Sequence, residues 1–230
     1  MNVLRIGAAA IITMGLATPV VAQDDGIAAL APYHLKLSST SKLIEYCSEV
    51  AAINPEIPFY YYHIPVHTGA YCQMADFLSK ASGNIPNLAG VKFTHDDLVD
   101  YQMCVDLEGG KYDMLFGTDE IMLASLALGA RGCIGSTYNH AAGVYSDIMD
   151  AFFKGDHAEA RKLQQTMTRS ILIIARYGWP AASKKLLKHF GLDLGPVRAP
   201  LSDIPDDEFS KMEKELRKAG FFELVKNSGS

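Results

Sequence analysis

The 230-residue sequence contains no run of like charge, no low-complexity tract and no Asn-x-Ser/Thr glycosylation sequon. Its net charge of -5 gives no indication of binding to nucleic acid. The sequence has only four cysteines, and their spacing does not match that of metal ligands: Cys47, Cys72, Cys104 and Cys133. We therefore predict separate reduced thiols, no metal site and no cofactor.

The N-terminal stretch differs in composition from the rest of the chain. Residues 6–17 are apolar and small, and residues 19–23 resemble a signal-peptidase site, which is typical of a secretory signal. The stretch is too short for a membrane span. We predict that residues 1–24 lie outside the folded domain and are secretion-signal-like or unrelated to it. The alternative is a buried helix or strand of the fold.

Short apolar runs alternate with helical patterns along the first part of the chain. The runs start near residues 27, 57, 88, 112 and 131, and they are continuous rather than alternating. This rhythm is typical of βα units around a parallel sheet that is covered on both faces. Residues 25–140 are therefore predicted to form an α/β sheet. Residues 141–230 are predicted to add helices to the same domain.

Lys92 interrupts one of these apolar runs, Ala89–Thr94. Lysine is almost never fully buried. An ammonium group that loses water has a lower pKa, which makes the free amine available for Schiff-base chemistry on a ketone. The alternative is an ordinary lysine at a strand end whose amine reaches water.

Four segments of the chain together carry a family resemblance. They are Phe59–Pro65 (FYYYHIP), Gly90–Thr94 (GVKFT), Phe116–Glu120 (FGTDE) and Gly132–Asn139 (GCIGSTYN). In this order they resemble the N-acetylneuraminate lyase branch of the lyase/dihydrodipicolinate synthase family. The likeness extends from about Asp25 to the C-terminus. It implies a (β/α)8 TIM barrel, in which polar residues at the carboxyl ends of the strands form the catalytic rim.

The resemblance also implies roles for individual residues. Lys92 would form an imine with the substrate ketone, and Tyr62 would move protons to and from the hydroxyl beside the breaking carbon–carbon bond. Further residues would line the pocket or hold the hydroxyls of the sugar chain: Thr94, Gly117, Asp119, Glu120 and Ser136. For Asp119 and Glu120 the alternative is the ordinary preference of acids for the first turn of a helix.

The implied activity is that of a carbon–carbon lyase, a class I aldolase that cleaves N-acetylneuraminate to N-acetylmannosamine and pyruvate. Its partners would be these small molecules, with no nucleic acid and no membrane, in a cytoplasmic homotetramer. Secretion is the alternative location if residues 1–22 are a true signal. The alternative functions are another 2-keto-acid aldolase or synthase of the family and a non-catalytic short isoform.

The resemblance covers the last five βα units of the barrel and the C-terminal helices. The family's early Gly-Thr/Ser-Thr/Ser-Gly-Glu loop, which binds the pyruvate carboxylate, does not occur in the sequence. We therefore expect an incomplete gene product or a short isoform without sialic-acid cleavage. We also expect exposed sheet edges at residues 27–31 and 132–136, which would favour aggregation.

Overall fold

The computed structural model describes residues 3–6, 11–13, 26–33, 36–37 and 39–228. The chain divides into two compact units. We call Met1–Thr118 with Ala124–Gly135 the sheet unit, and Asp119–Leu123 with Ser136–Ser230 the helical unit.

The sheet unit contains one sheet of seven strands. The strands are β1 (Val3–Ile6), β2 (Ile11–Thr13), β3 (Gly26–Leu30), β4 (Phe59–His63), β5 (Leu88–Phe93), β6 (Asp113–Phe116) and β7 (Gly132–Ile134). Their order is β1-β3-β4-β5-β6-β7-β2. Strands β3 to β7 are mutually parallel, which confirms the α/β prediction and its five strand positions.

Helices follow the parallel strands and then make up most of the remaining chain. They are α1 (Thr40–Ala51), α2 (Pro65–Thr68), α3 (Met74–Ala81), α4 (Leu98–Asp106), α5 (Met122–Ala127), α6 (Tyr138–Phe153), α7 (His157–Arg176), α8 (Trp179–His189), α9 (Asp206–Lys218) and α10 (Phe221–Asn227). In the part of the chain that the structure describes, no helix is both long and apolar enough to cross a membrane.

Several helices begin at side chains that accept hydrogen bonds from otherwise unpaired backbone N–H groups. Ser39 caps α1, and Asp97 caps α4. Helix α3 is capped by a residue of another helix: the buried Asp100 carboxylate accepts from Met74 N at 2.7 Å and from Ala75 N at 3.0 Å. This cap connects α3 to α4.

The strands expose their two faces differently because successive side chains point to opposite sides of a sheet. On one face Tyr61, Phe93 and Phe116 are fully buried. Their rings pack against helix residues, with centroids 5.2 Å apart for Tyr61–Phe77 and 5.0 Å apart for Tyr101–Phe116. The opposite face carries half-buried side chains, among which are the predicted site residues of β4 and β5.

The helical unit is built around an apolar stripe on α7. Four apolar residues at helical spacing, Leu163, Met167, Ile171 and Ile174, are all buried, as expected for a period of 3.6 residues. Ser170 is buried beside them, and so is Gln164, which has 7% of its surface exposed. Its partners are described below.

Two pieces of the N-terminal segment lie in the sheet, contrary to the prediction that the segment stays outside it. Strand β1 pairs antiparallel with β3, with Val3 opposite Ala29. Strand β2 pairs antiparallel with β7, with Ile12 opposite Cys133. The expectation of exposed edges on β3 and β7 is therefore wrong, because backbone pairing covers both. The physical reason is that an apolar signal-like stretch is equally suited to a strand. The signal-peptidase-like residues 19–23 lie outside the described residues.

None of the four cysteines forms a disulfide. Cys47, Cys104 and Cys133 are buried, and Cys72 is half-buried. Burial raises the pKa of the Cys47 and Cys104 thiols because the thiolate loses solvation. These buried thiols are therefore unreactive core residues.

Candidate active site

Lys92 and Tyr62 lie side by side on neighbouring parallel strands. They are opposite each other in the register of β4 and β5, so both side chains project from the same face of the sheet. Lys92 Nζ lies 4.0 Å from the centroid of the Tyr62 ring. Both residues are half-buried. An ammonium group over an aromatic face is held electrostatically by the ring. The strand pairing therefore fixes the amine beside the phenol ring.

Two residues closer to the start of each strand, a second polar pair lies on the same face. Tyr60, Gly90 and Asp113 are opposite one another on β4, β5 and β6. The Tyr60 phenol donates to Asp113 Oδ2 at 3.0 Å. A Cβ atom at Gly90 would lie 1.9 Å from the Asp113 carbonyl oxygen, so this position accepts no side chain. The glycine lets β5 approach β6 closely beneath Lys92.

Burial dominates the electrostatics of this pair. It raises the pKa of the Asp113 carboxyl, while the hydrogen bond from Tyr60 and the charge of Arg131 act in the opposite direction. Burial also raises the pKa of the Tyr60 phenol, and the neighbouring Asp113 charge adds to that shift. Tyr60 therefore stays protonated and donates its hydrogen bond at neutral pH.

Thr94 and Gly117 meet just beyond the ends of β5 and β6. Thr94 N donates to His63 O, and Gly117 N donates to Phe93 O, both at 2.8 Å. A Cβ atom at Gly117 would lie 2.1 Å from Thr94 Oγ1, so only glycine fits without movement of the threonine. Thr94 Oγ1 is buried and has no hydrogen-bond partner among the described residues.

His63 lies on the opposite face from Tyr62, within an aromatic cluster. It is 1% exposed, and its ring centroid is 5.1 Å from Phe93 and 5.5 Å from His95. Neither ring nitrogen has a hydrogen-bond partner in the described part of the chain. Burial lowers the pKa of His63 to about 3. His63 is therefore a neutral core residue, although it directly follows Tyr62 in the sequence.

The predicted hydroxyl-binding acids belong to the helical unit, in the 3-10 turn Asp119–Ile121. Asp119 is buried, and its Oδ2 accepts from Thr137 N at 3.0 Å and from Thr137 Oγ1 at 2.6 Å. Glu120 is half-buried, and Ser136 is exposed. Part of the Asp119 carboxylate thus serves the local structure, beyond the first-turn preference that the sequence suggests.

The structure brings Tyr62, Lys92, Thr94 and Gly117 onto neighbouring strands of the sheet unit. Asp119, Glu120 and Ser136 are parts of the helical unit. Sequence analysis missed four residues that support these groups: Tyr60, Asp113, Thr137 and Gln164. Asp113 had a detectable signal, since a carboxylate at the start of an apolar strand is as unusual as the lysine. Within the described ranges, no three His, Cys, Asp or Glu side chains are arranged to hold a metal ion.

Comparison with known proteins identifies the family. Residues 21–219 match the model of the dihydrodipicolinate synthetase family. The chain belongs to this family. Its fold is accordingly that of the TIM-barrel members, as the sequence predicts, represented here by five parallel strands with their helices.

Relatives from animals and bacteria are named as sialic-acid enzymes. The chain is 40% identical over 197 residues to the N-acetylneuraminate lyase of Xenopus tropicalis. This alignment covers 84% of the present chain and 64% of the relative. It is 36% identical over 200 residues to the Mus musculus N-acetylneuraminate lyase, with coverages of 86% and 62%.

The solved structure of Proteus mirabilis N-acetylneuraminate lyase superposes with a TM-score of 0.80 at 36% identity. The match covers 84% of this chain and 65% of the bacterial one. The family member described here therefore spans somewhat less than two thirds of the length of these relatives.

Proposed function

We propose that this family member is a class I aldolase that cleaves N-acetylneuraminate to N-acetylmannosamine and pyruvate. The observation that carries the proposal is the pairing of Lys92 with Tyr62, with the amine 4.0 Å from the ring centroid. The names of the relatives support the choice of substrate.

In the proposed reaction, Lys92 Nζ adds to the keto carbon of the open-chain sugar, and loss of water gives an imine. Tyr62 accepts the proton of the hydroxyl beside the breaking carbon–carbon bond as it passes its own phenol proton on to solvent. The electron pair of the broken bond shifts towards the imine nitrogen, which gives the aldehyde and an enamine of pyruvate. Protonation of the enamine and hydrolysis then release pyruvate and regenerate the amine.

The remaining predicted residues hold the substrate in this proposal. The buried Thr94 hydroxyl, which lacks a protein partner among the described residues, is available to the keto acid. Gly117 leaves room beside that hydroxyl. Asp119, Glu120 and Ser136 bind hydroxyls of the sugar chain, for which fixed polar groups provide orientation and specificity.

A second candidate is another 2-keto-acid aldolase or synthase. The family description favours it, because the family is named for a synthetase rather than for a sialic-acid enzyme. Both candidates share the imine on Lys92 and differ in the aldehyde.

A single-turnover experiment separates the candidates. The protein is incubated with N-acetylneuraminate and borohydride, which reduces any imine irreversibly and so accumulates even a slowly formed adduct. Cleavage predicts a pyruvate-derived adduct together with free N-acetylmannosamine. An adduct with added pyruvate but none with N-acetylneuraminate would favour another 2-keto-acid enzyme. No adduct with either compound would contradict the proposal and support the alternative expectation of a short, non-catalytic chain.

Location and assembly are part of the same proposal. We assign the enzyme to the cytoplasm, where thiols stay reduced, because none of the four cysteines forms a disulfide. The resemblance implies a homotetramer, which light scattering of the purified protein would test.

A further inference from the structure

We infer that Gln164 of α7 is a positioning residue that holds the Asp119–Glu120 turn in place for the hydroxyls of the sugar. The inference rests on the proposed function, because it assigns a role in binding the same substrate.

The Gln164 amide engages the backbone of the turn with both of its ends. Its Nε2 donates to Asp119 O and to Glu120 O, each at 3.0 Å. Its Oε1 accepts from Leu123 N at 3.0 Å. The amide orientation follows from these partners, because a backbone N–H requires the oxygen on its side. One side chain thus connects three of the five residues from Asp119 to Leu123.

Packing alone does not explain a glutamine at this position. The inward residues on either side of Gln164 along α7, Leu163 and Met167, are apolar, and Gln164 is almost fully buried among them. Burying an amide costs free energy unless it is hydrogen-bonded. The hydrogen bonds to the turn offset that cost, so the residue serves the turn.

Two further contacts fix the same turn. Thr168 Oγ1, one helical turn after Gln164, lies 2.8 Å from Glu120 O, to which it can donate, and 2.9 Å from Gln164 O within the helix. Thr137 holds the Asp119 carboxylate, and Thr137 Oγ1 lies 2.8 Å from Tyr145 Oη. Gln164 and Thr168 therefore hold the backbone of the turn, whereas Thr137 holds the Asp119 carboxylate. Releasing the backbone would move both acids at once.

The test compares the binding of two compounds that form the same imine. Pyruvate lacks the sugar hydroxyls, whereas N-acetylneuraminate has them. For each compound, the initial rate of borohydride trapping is measured against concentration. Gln164→Met keeps the length of the side chain but removes the amide. We expect the half-saturating concentration of N-acetylneuraminate to rise roughly tenfold or more, and that of pyruvate to change less than about twofold.

Helix α7 offers a matched pair of smaller changes. Thr168→Val removes the donor to Glu120 O, and we expect roughly a threefold rise for N-acetylneuraminate alone. Thr166→Val makes the same change two residues away, where the hydroxyl donates to Lys162 O within the helix. It should alter neither value. This pair keeps the inference testable if Gln164→Met does not fold.

The outcomes separate the inference from the proposed function. Wild-type trapping by both compounds, with the sugar-specific rise in Gln164→Met or Thr168→Val, supports the inference. Equal changes for both compounds, or no change, would overturn it and leave the aldolase assignment intact. Absence of any pyruvate adduct in the wild-type protein would overturn the proposed function and this inference with it.

Discussion

Replacing Tyr60 by phenylalanine tests the buried polar pair beneath Lys92. The change removes the phenol that donates to Asp113 Oδ2 at 3.0 Å and leaves the ring in place. The carboxylate would then lose a hydrogen bond in a largely buried position. Because that bond holds the pKa of Asp113 down against the effect of burial, the pKa should rise further in the variant.

The expected loss depends on the charge of Asp113. A hydrogen bond to a charged group contributes about 1.5–3 kcal/mol, and one between neutral groups about 0.5–1.5 kcal/mol. Where Asp113 is ionised, near pH 7, Tyr60→Phe should lower the free energy of unfolding by about 2 kcal/mol. Near pH 4 the carboxyl is more protonated, because burial raises its pKa. The loss there should fall to about 1 kcal/mol.

Urea unfolding followed by circular dichroism measures both values. Circular dichroism is preferable to fluorescence because Trp179, the one tryptophan of the chain, lies in the helical unit. Tyr71→Phe is the matched control, since Tyr71 is 66% exposed. It should change stability by less than about 0.5 kcal/mol. A loss for Tyr60→Phe that is equal at the two pH values would refute a charge-assisted bond.

Three further changes have defined outcomes. Gly117→Ala should lower the stability measured by urea unfolding and impair pyruvate trapping, because the added Cβ would lie 2.1 Å from Thr94 Oγ1. Adding Thr94→Ala should restore the stability, and no rescue would place the clash elsewhere. Burial keeps the pKa of His63 at about 3 in the folded protein, against about 6.5 unfolded. The unfolded state therefore binds more protons below about pH 6.5, so stability should fall with pH down to about 3, and less steeply in His63→Leu; parallel curves would contradict this reading. Asp100→Ala should cost about 1–3 kcal/mol by removing the cap from Met74 N, and an unchanged unfolding midpoint would disprove the cap.

The sequence predicted the parallel strands because each is a short apolar run bounded by helical patterns. It also singled out Lys92 and Tyr62, since a lysine inside such a run is visible without knowledge of the fold. Register then placed the two side chains together, which a family resemblance could suggest but an isolated sequence could not.

The missed features depend on contacts between distant residues. The hydrogen bonds of Gln164 join positions more than 40 residues apart, and a single glutamine in a helical pattern carries no local signal. Asp113 meets Tyr60 across Gly90, which only the sheet register reveals. The N-terminal strands were missed for another reason: an apolar stretch with small residues fits a secretion signal and an edge strand equally well.

Mapping the borohydride-trapped pyruvate adduct to a residue tests the central claim most directly. The account predicts the adduct on Lys92, and its loss in Lys92→Arg, which keeps the charge but is not a nucleophile at neutral pH. Lys111→Arg is the matched control, because Lys111 Nζ also lies over a tyrosine ring, 4.9 Å from the Tyr112 centroid, but on an exposed side chain. It should leave the adduct unchanged. An adduct on Lys111 or Lys80, with none on Lys92, would contradict the account.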